Sequence, residues 1–254
     1  MAVVAIIQAR MGSTRLPGKV LADLGGKPVL QWVVEASTAI PGNERVIVAT
    51  STDAADDVIA GWCDRSRVQV FRGHADDVLD RFAGASRLAG ADVIIRVTAD
   101  CPLLDPAEAG MVVERVVAED FDYACNNDPP TYPDGLDCEA FTRSALEDAA
   151  AHAKRPSERE HVTPFMRDPA NGFRVARIRC SLGDLGGERW TLDTAEDLAF
   201  LRATVRELAA DRPPRLGEVL QVIEHSPDLR RLNGGIARNE GFARSLARDR
   251  ALGF

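Results

Sequence analysis

The hydrophobic and polar positions in the first half of the chain predict strands and helices in alternation. Short runs of apolar and β-branched residues, typical of buried strands, occur at residues 2–9, 45–50, 68–71 and 92–100. Longer segments with apolar residues at helical spacing occur at residues 28–39, 51–63, 76–90 and 105–120. Strands that alternate with helices of this length pair in parallel, with helices on both faces. We therefore predict an α/β fold with a doubly wound, mostly parallel, Rossmann-like sheet.

The second half of the chain is less regular. Residues 126–142 are rich in turn formers and then become strand-like, and further strands are predicted at residues 173–180 and 189–193. An amphipathic helix follows at residues 194–211, and two prolines then mark a boundary. Beyond it lie only short helical patterns. We predict a main domain over residues 1–210 and a helical C-terminal appendage over residues 211–254.

Composition narrows the class of protein. The chain has 254 residues, 45% of them apolar and 28% charged, and a formal net charge of -8. That composition is typical of a globular protein, and the acidic balance argues against a nucleic-acid surface. The N-terminal apolar run is too short for a signal peptide or a membrane span. Five widely spaced cysteines without a C-x-x-C pair favour reduced thiols in a cytoplasmic protein.

The loop after the first strand, "QARMGSTRLPGKVL" at residues 8–21, concentrates positive charge in an acidic protein. Gly12 and Gly18 allow the backbone to approach a ligand closely, and exposed N–H groups in such a turn bind anions. Arg10, Arg15 and Lys19 add side-chain donors that suit phosphate oxygens. The loop fits neither the dinucleotide nor the Walker pattern. A polyphosphate site is one interpretation, and a tight turn with solvated charges is the other.

This loop resembles the signature loop of the cytidylyltransferases that activate acidic sugars, the acylneuraminate and 3-deoxy-manno-octulosonate enzymes. The wider chain is most similar to the spore-coat polysaccharide biosynthesis F branch of that superfamily. The supporting segments fall in the expected order at residues 71–82, 96–106, 132–141, 158–165, 189–198 and 239–246. The resemblance implies a fold of the nucleotide-diphospho-sugar transferase type, CTP as the nucleotide, Mg²⁺ as the cofactor, and a homodimer.

Two aspartates are the expected metal ligands. Asp100 ends the predicted strand at residues 92–100, and Asp193 ends the one predicted at residues 189–193. Both should face the crevice beside the opening loop, and carboxylates are the side chains that Mg²⁺ prefers. Asp is also a favoured helix cap, so either residue could be purely structural. The resemblance favours the metal, with Arg10, Lys19 and Asp100 as the catalytic residues.

The resemblance also implies the nucleotide-binding residues. They are Gln8, Ala9, Arg10, Gly12, Ser13, Arg15, Lys19, Arg72, Gly73, Asp77, Arg81 and Thr98. For the segment at residues 71–82 a structural interpretation stays open. Asp77 would then open a helix, and Arg81 would be its solvated partner four residues later.

On the acceptor side, polar groups around the turn at residues 132–139 could bind sugar hydroxyls, and an aromatic ring could stack on a sugar face. The candidates are Tyr132, Asp137, Glu139, Glu160 and His161. Glu160 or His161 could also help to deprotonate the acceptor hydroxyl. A solvated edge strand and a structural histidine are the alternatives. Three arginines in the predicted strand at residues 173–180 could bind a sugar carboxylate, namely Arg174, Arg177 and Arg179.

We therefore expect an enzyme that transfers CMP from CTP to an acidic or unusual sugar and releases pyrophosphate, for a surface glycan. Two alternatives remain open: a sugar-phosphate nucleotidyltransferase that uses another nucleotide, and a glycosyltransferase-like protein that binds nucleotide sugars. In the C-terminal appendage, apolar residues from Leu216 to Ile223 exceed what one helix face needs. They could form a dimer interface, or the appendage could cap the chain's own site.

Overall fold

The computed structural model describes residues 1–209, 212–236, 238 and 240–254. The strands are β1 (Val3–Gln8), β2 (Asp23–Leu24), β3 (Lys27–Pro28), β4 (Arg45–Ser51), β5 (Gln69–Gly73), β6 (Val93–Thr98), β7 (Tyr123–Cys125), β8 (Glu139–Thr142) and β9 (Val175–Arg177). The helices are α1 (Val29–Thr38), α2 (Asp57–Ser66), α3 (Val78–Ala89), α4 (Pro106–Ala118), α5 (Arg143–His152), α6 (Pro156–His161), α7 (Pro164–Arg167), α8 (Ala195–Leu208), α9 (Leu216–His225), α10 (Arg230–Asn233) and α11 (Glu240–Ala251).

The central sheet has seven strands in the order β5-β4-β1-β6-β8-β7-β9. The strands β5, β4, β1 and β6 pair in parallel, whereas β8 runs antiparallel to both of its neighbours. The strand β9 is again parallel to β7. The predicted doubly wound, mostly parallel α/β fold is therefore confirmed, and the carboxyl ends of β1 and β6 lie side by side.

Alternating side chains of the sheet supply two apolar cores. In β1, Ala5 and Ile7 belong to the larger core, whereas Val4 and Ile6 belong to the smaller one on the opposite face. A continuous apolar strand is expected where both faces of a parallel sheet are covered. The larger core includes residues of α1, α4, α8 and α9, and the smaller one includes residues of α3 and α5. Both faces of the sheet are thus covered by helices.

The strand predicted at residues 189–193 is wrong. Among the described residues, this segment makes a single β-bridge, between Asp134 and Arg189. The amide of Leu192 donates to the carbonyl of Asp100 at 2.9 Å, so the segment is fixed by loops. It also passes close to Gly135, whose φ is +112° and where a Cβ would lie 2.6 Å from the Trp190 backbone. Such an approach requires glycine.

The predicted boundary between residues 210 and 211 lies outside the described residues. Beyond it, α9 buries Leu216, Val219 and Ile223 within this chain, and Leu220 and Val222 are partly buried. The surplus of apolar residues that suggested a dimer is thus largely used inside the protein. The helix α11 packs against α6. Among the described residues, no helix is long and apolar enough to cross a membrane.

Candidate active site

The loop between β1 and the short 3-10 helix Lys19–Leu21 folds back on itself. The carbonyl of Met11 accepts hydrogen bonds from the amides of Ser13 at 2.9 Å and Gly18 at 3.1 Å. Gly18 has a φ of +74°, a conformation that glycine adopts without strain. The amide of Met11 in turn donates to the carboxylate of Asp56 at 2.7 Å. The loop is therefore a fixed turn rather than an open connection.

Asp56 anchors this loop from the far side. Its carboxylate also accepts from the hydroxyl of Ser51 at 2.6 Å, and only 3% of the residue is exposed. Burial by itself raises the pKa of Asp56, but the hydrogen bonds from Met11 and Ser51 outweigh it, so the pKa lies below its ordinary value. Asp56 is a residue that sequence reasoning missed, because nothing in a helix-opening acid shows which distant amide it will bind.

A crevice of about 400 Å³ lies at the carboxyl ends of β1 and β6, beside this loop. Its polar lining is Gln8, Arg10, Gly12, Ser13, Thr14, Arg15, Lys19, Thr98, Asp100, Glu160, Asp193 and Arg244. A Cβ at Gly12 would have no neighbour within 4 Å, so the backbone there is open to a ligand. The structure thus brings together most of the residues predicted for the nucleotide, and both predicted metal ligands.

Lys19 joins the two aspartates at the floor of the crevice. Its Nζ donates to Asp100 Oδ2 and to Asp193 Oδ1, each at 2.6 Å, and to the Leu192 carbonyl at 2.7 Å. Burial lowers the pKa of Lys19, but the two carboxylates outweigh this and the pKa lies above its ordinary value. For Asp100, burial raises the pKa, but Lys19 lowers it by more, so the pKa lies below its ordinary value. The ammonium and the Asp100 carboxylate thus favour each other's charged form.

Arg189, which sequence reasoning also missed, supports the same cluster. Its guanidinium contacts Asp134 at 2.8 Å, Asp193 at 3.3 Å and Asp197 at 2.9 Å, and only 8% of its side chain is exposed. Burial lowers the pKa of Arg189, but hydrogen bonding to Asp197 and the surrounding carboxylates raise it above its ordinary value. The only signal in the sequence was an arginine just before two aspartates.

The pair of Asp100 and Asp193 fits Mg²⁺ in one respect. Mg²⁺ is usually held by one or two carboxylates, and its remaining ligands are waters and substrate phosphates. Within the described ranges, no group of three or more His, Cys, Asp or Glu side chains could enclose a metal ion. The donor set therefore suits a hydrated ion shared with a phosphate ligand, and does not suit a cage made by the protein alone.

A second cavity of about 310 Å³ adjoins the crevice, and Arg15, Thr98, Asp100 and Asp193 are among the residues that line both. We call it the acceptor cavity, after the residues predicted for the acceptor that line it. Its other charged or polar lining residues are Gln8, Arg96, Asn127, Asp134, Asp137, Glu139, His161, Arg167, Arg189, Thr191 and Glu240. Three residues predicted for the acceptor, Asp137, Glu139 and His161, therefore lie together, and Glu160 lies on the neighbouring crevice.

Glu139 is held by three partners. Its carboxylate pairs with Arg96 and accepts from the hydroxyls of Tyr123 at 2.5 Å and Thr163 at 2.6 Å. Burial raises the pKa of Glu139, but Arg96 and Arg167 and these hydroxyls overcome it and lower the pKa to about 2. The carboxylate is thus ionised at neutral pH, although only 1% of the residue is exposed.

The helix α11 covers one side of both cavities. Ser245 donates to Glu160 at 2.8 Å and lies 3.0 Å from Nε2 of His161, and Phe242 packs edge-on against the His161 ring. Burial lowers the pKa of His161 to about 4, so the ring is neutral at physiological pH. The placement matches the hypothesis in which the C-terminal appendage caps the chain's own site.

Several predicted residues lie away from both cavities. Arg72 donates to the carbonyls of Ser51 and Asp53, and Gly73 packs against Arg81. Asp77 caps α3, as the structural interpretation of this segment predicted, and it forms an ion pair with Arg159. Ala9 is buried in the larger core.

Arg81 and Tyr132 are fully buried. Arg81 donates to the carbonyls of His74 and Ala75, and Arg10 donates to the same Ala75 carbonyl at 2.7 Å. Burial, and the charge of Arg10, lower the pKa of Arg81 to about 10. The hydroxyl of Tyr132 donates to Glu108 at 2.7 Å, so its ring packs in the core. These placements do not support direct contact with a nucleotide or a sugar.

Comparison with known proteins identifies the family. The model of the family described as Cytidylyltransferase matches residues 4–229. The spore coat polysaccharide biosynthesis protein SpsF of Bacillus subtilis is 31% identical, over 88% of this chain and 94% of that protein. A 3-deoxy-manno-octulosonate cytidylyltransferase of Trichlorobacter lovleyi is 42% identical over 45% of this chain and 44% of its own length. A cytidylyltransferase from Leptospira borgpetersenii is 30% identical and superposes with a TM-score of 0.86, covering 94% of this chain and 100% of that one. The chain belongs to the cytidylyltransferase family, and is thus a nucleotidyltransferase.

Proposed function

We propose that this cytidylyltransferase transfers CMP from CTP to a hydroxyl of an acidic sugar, with Mg²⁺, and releases pyrophosphate. The product would be a CMP-activated sugar for a surface polysaccharide. The observation that carries the proposal is one continuous site. A cationic loop and an aspartate pair lie at the carboxyl edge of the sheet, and the acceptor cavity opens directly beside them.

The nucleotide end of the site suits a triphosphate. Arg10 and Arg15 line the crevice with the open backbone at Gly12, so side-chain and backbone donors converge on one space. Asp100 and Asp193 would hold Mg²⁺, which supplies positive charge to the phosphates and the leaving pyrophosphate. Positioning and charge neutralisation carry most of the catalysis in phosphoryl-type transfers. The choice of CTP rests on the family and on the names of the relatives.

The acceptor end suits one negatively charged group. Arg167 lines the acceptor cavity, and among the described residues no carboxylate lies within ion-pair distance of its guanidinium. The other cavity arginines are already paired: Arg15 with Asp193 and Glu240, Arg96 with Glu139, and Arg189 with three aspartates. Arg167 is therefore the cation available to a sugar carboxylate.

The arginines predicted for this role lie elsewhere. Arg174 pairs with Asp120 and Asp122, and Arg177 pairs with Asp128, in or beside the edge strand β9. Arg179 does not line either cavity.

A pyrophosphate-release assay tests the proposal. Purified protein and Mg²⁺ are combined with each of CTP, UTP, GTP and ATP, and with ulosonates, neutral sugars and sugar phosphates. We expect release only with CTP and an acidic sugar. Release with another nucleotide and a sugar phosphate would replace the proposal with the sugar-phosphate nucleotidyltransferase alternative. Nucleotide-sugar binding without any release would favour the glycosyltransferase-like alternative.

A pair of matched variants tests the acceptor end. Arg167→Met should raise KM for the acidic sugar by about 10- to 100-fold, because it removes a charge-assisted hydrogen bond worth about 1.5–3 kcal/mol. Arg174→Met makes the same change away from the cavities and should leave KM unaltered. An unchanged KM in Arg167→Met would show that another group binds the acceptor.

A homodimer in the cytoplasm remains part of the proposal and rests on the family alone. Light scattering of the full chain should give twice the mass of one chain, and the mass of a single chain would contradict it.

A further inference from the structure

One carboxyl group of the acceptor cavity has an oxygen that the protein leaves free. Asp137 Oδ1 accepts a hydrogen bond from Arg238 Nη2 at 2.5 Å. Within the described part of the chain, no donor forms a hydrogen bond with its other oxygen, Oδ2. The side chain is 26% exposed and lines the same cavity as Asp100. Asp137 therefore has an acceptor position open to a bound molecule.

The other acids of the site are occupied. Glu139 is bound by an arginine and two hydroxyls, and the exposed Glu240 pairs with Arg15. Glu160 lines the neighbouring crevice and not this cavity. One oxygen of Asp134 binds Arg189 at 2.8 Å, and its other oxygen lies 3.9 Å from Arg238, so both face a cation. His161 is neutral, but its pKa of about 4 makes it a weak base. Apart from the two expected metal ligands, Asp137 is thus the half-buried carboxyl of this cavity with one oxygen that no described cation or donor contacts, and that oxygen can take a proton.

Its surroundings suit that task. Burial raises the pKa of Asp137 to about 7, with a further contribution from the negative charges of Asp134 and Glu139. Arg238 and Arg96 are the cations that oppose this rise. A general base works best when its pKa lies near the operating pH. Asp137 is thus a stronger base than an ordinary aspartate and is still ionised in a large fraction of molecules at neutral pH.

We propose that Asp137 is the catalytic base that takes the proton from the attacking hydroxyl of the acceptor. The inference rests on the proposed function. The acceptor oxygen forms a bond to the α-phosphorus, and the bond from that phosphorus to the bridging oxygen of the β-phosphate breaks. Pyrophosphate leaves with the electron pair, and the hydroxyl proton passes to Asp137 Oδ2 and then to water.

The test uses the full chain with Mg²⁺, CTP and the acidic sugar that the pyrophosphate assay identifies. Asp137→Asn keeps the size of the side chain and should lower kcat by about 100-fold or more, as expected for loss of a general base. Binding of CTP, measured by calorimetry, should change by less than about twofold. In the parent protein kcat/KM should rise with pH through about 7, where Asp137 ionises, and that rise should be absent from the variant.

Two more variants separate catalysis from structure. Asp137→Ala should regain activity when formate is added, because formate can occupy the vacated space and accept the proton. Asp148→Asn makes the same change as Asp137→Asn on an exposed turn of α5 and should leave turnover and its pH dependence unaltered.

The outcomes distinguish failure of the role of Asp137 from failure of the proposed function. Turnover of Asp137→Asn within tenfold of the parent, with the pH dependence retained, would overturn the role of Asp137 and leave the proposed function standing. So would an Asp137→Ala variant that binds CTP but is not rescued by formate. Absence of pyrophosphate release from the parent protein with every nucleotide and acceptor would overturn the proposed function, and this inference with it.

Discussion

Replacing Glu139 with glutamine tests the electrostatic interpretation of the acceptor cavity. The carboxylate is 1% exposed and is bound by Arg96, Tyr123 and Thr163. Glu139→Gln keeps the shape but removes the charge, so the Arg96 guanidinium stays buried without its partner. Breaking a buried ion pair from one side typically costs about 3–5 kcal/mol.

The pKa of Glu139 gives an independent magnitude. It falls from an ordinary value of 4.5 to about 2, although burial alone acts in the opposite direction. Each pKa unit corresponds to about 1.4 kcal/mol, so the ionised form adds about 3 kcal/mol to the free energy of unfolding. Because the folded-state pKa is the lower one, this contribution is present above pH 4.5 and is lost as the pH falls towards 2.

Urea unfolding followed by circular dichroism measures both quantities. At pH 7 we expect Glu139→Gln to lose about 3 kcal/mol of stability, and we expect the difference from the parent to shrink between pH 5 and pH 3. The control is Glu147→Gln on an exposed face of α5, which should change stability by less than about 0.5 kcal/mol. A loss below about 1 kcal/mol at pH 7, or a loss independent of pH, would refute the reasoning.

Three further predictions concern the crevice and the segment at residues 189–193. Asp100→Asn should abolish pyrophosphate release while the circular dichroism spectrum stays unchanged. An active variant would contradict the proposal that Asp100 is a metal ligand. Asp56→Ala should weaken CTP binding in calorimetry and lower stability by about 1–3 kcal/mol, because the Met11 amide loses its acceptor; Asp56→Asn, which restores an acceptor, should recover part of both. Gly135→Ala should lower the free energy of unfolding in urea by at least about 3 kcal/mol, because its Cβ would meet the Trp190 backbone. An unchanged free energy of unfolding would contradict that close approach.

The sequence predicted the parts of the fold that depend on local pattern. The four parallel strands, the helices between them and the Gly90 end of α3 follow from periodicity and end signals within about 15 residues. The opening loop could also be singled out from the sequence, because its charges and glycines lie close together along the chain. Asp100 was placed correctly beside the loop, since β1 and β6 are neighbours and end at the same edge.

The predictions that failed concern residues whose placement depends on contacts far away in the sequence. The segment at residues 189–193 has the composition of a strand, yet its hydrogen bonds go to loops at Asp134 and Asp100. Tyr132 looked like an exposed turn aromatic, but Glu108 of α4 supplies a partner that lets it pack in the core. Arg167 has no local signal in the sequence, because its proposed role rests on its place in the cavity and on the lack, among the described residues, of a carboxylate within ion-pair distance.

The hydrogen-bonding capacity of Lys19 limits what it can do in the proposed reaction. An ammonium group has three protons, and all three are used by Asp100, Asp193 and the Leu192 carbonyl. Lys19 can bind a phosphate only if it releases one of these partners. Within the described part of the chain, Arg10 makes one hydrogen bond, to the Ala75 carbonyl, and a longer ion pair with Asp76 at 3.9 Å.

Arg15 is intermediate between Lys19 and Arg10 in how fully other groups of the protein bind it. Its guanidinium contacts Asp193 at 3.0 Å and Glu240 at the start of α11, also at 3.0 Å. A phosphate that draws Arg15 towards the crevice competes with Glu240, and so with one contact that holds α11 over the site. Of these three cations, Arg10 is thus the donor most available to the triphosphate in the proposed reaction, and Lys19 serves mainly to hold the two aspartates together.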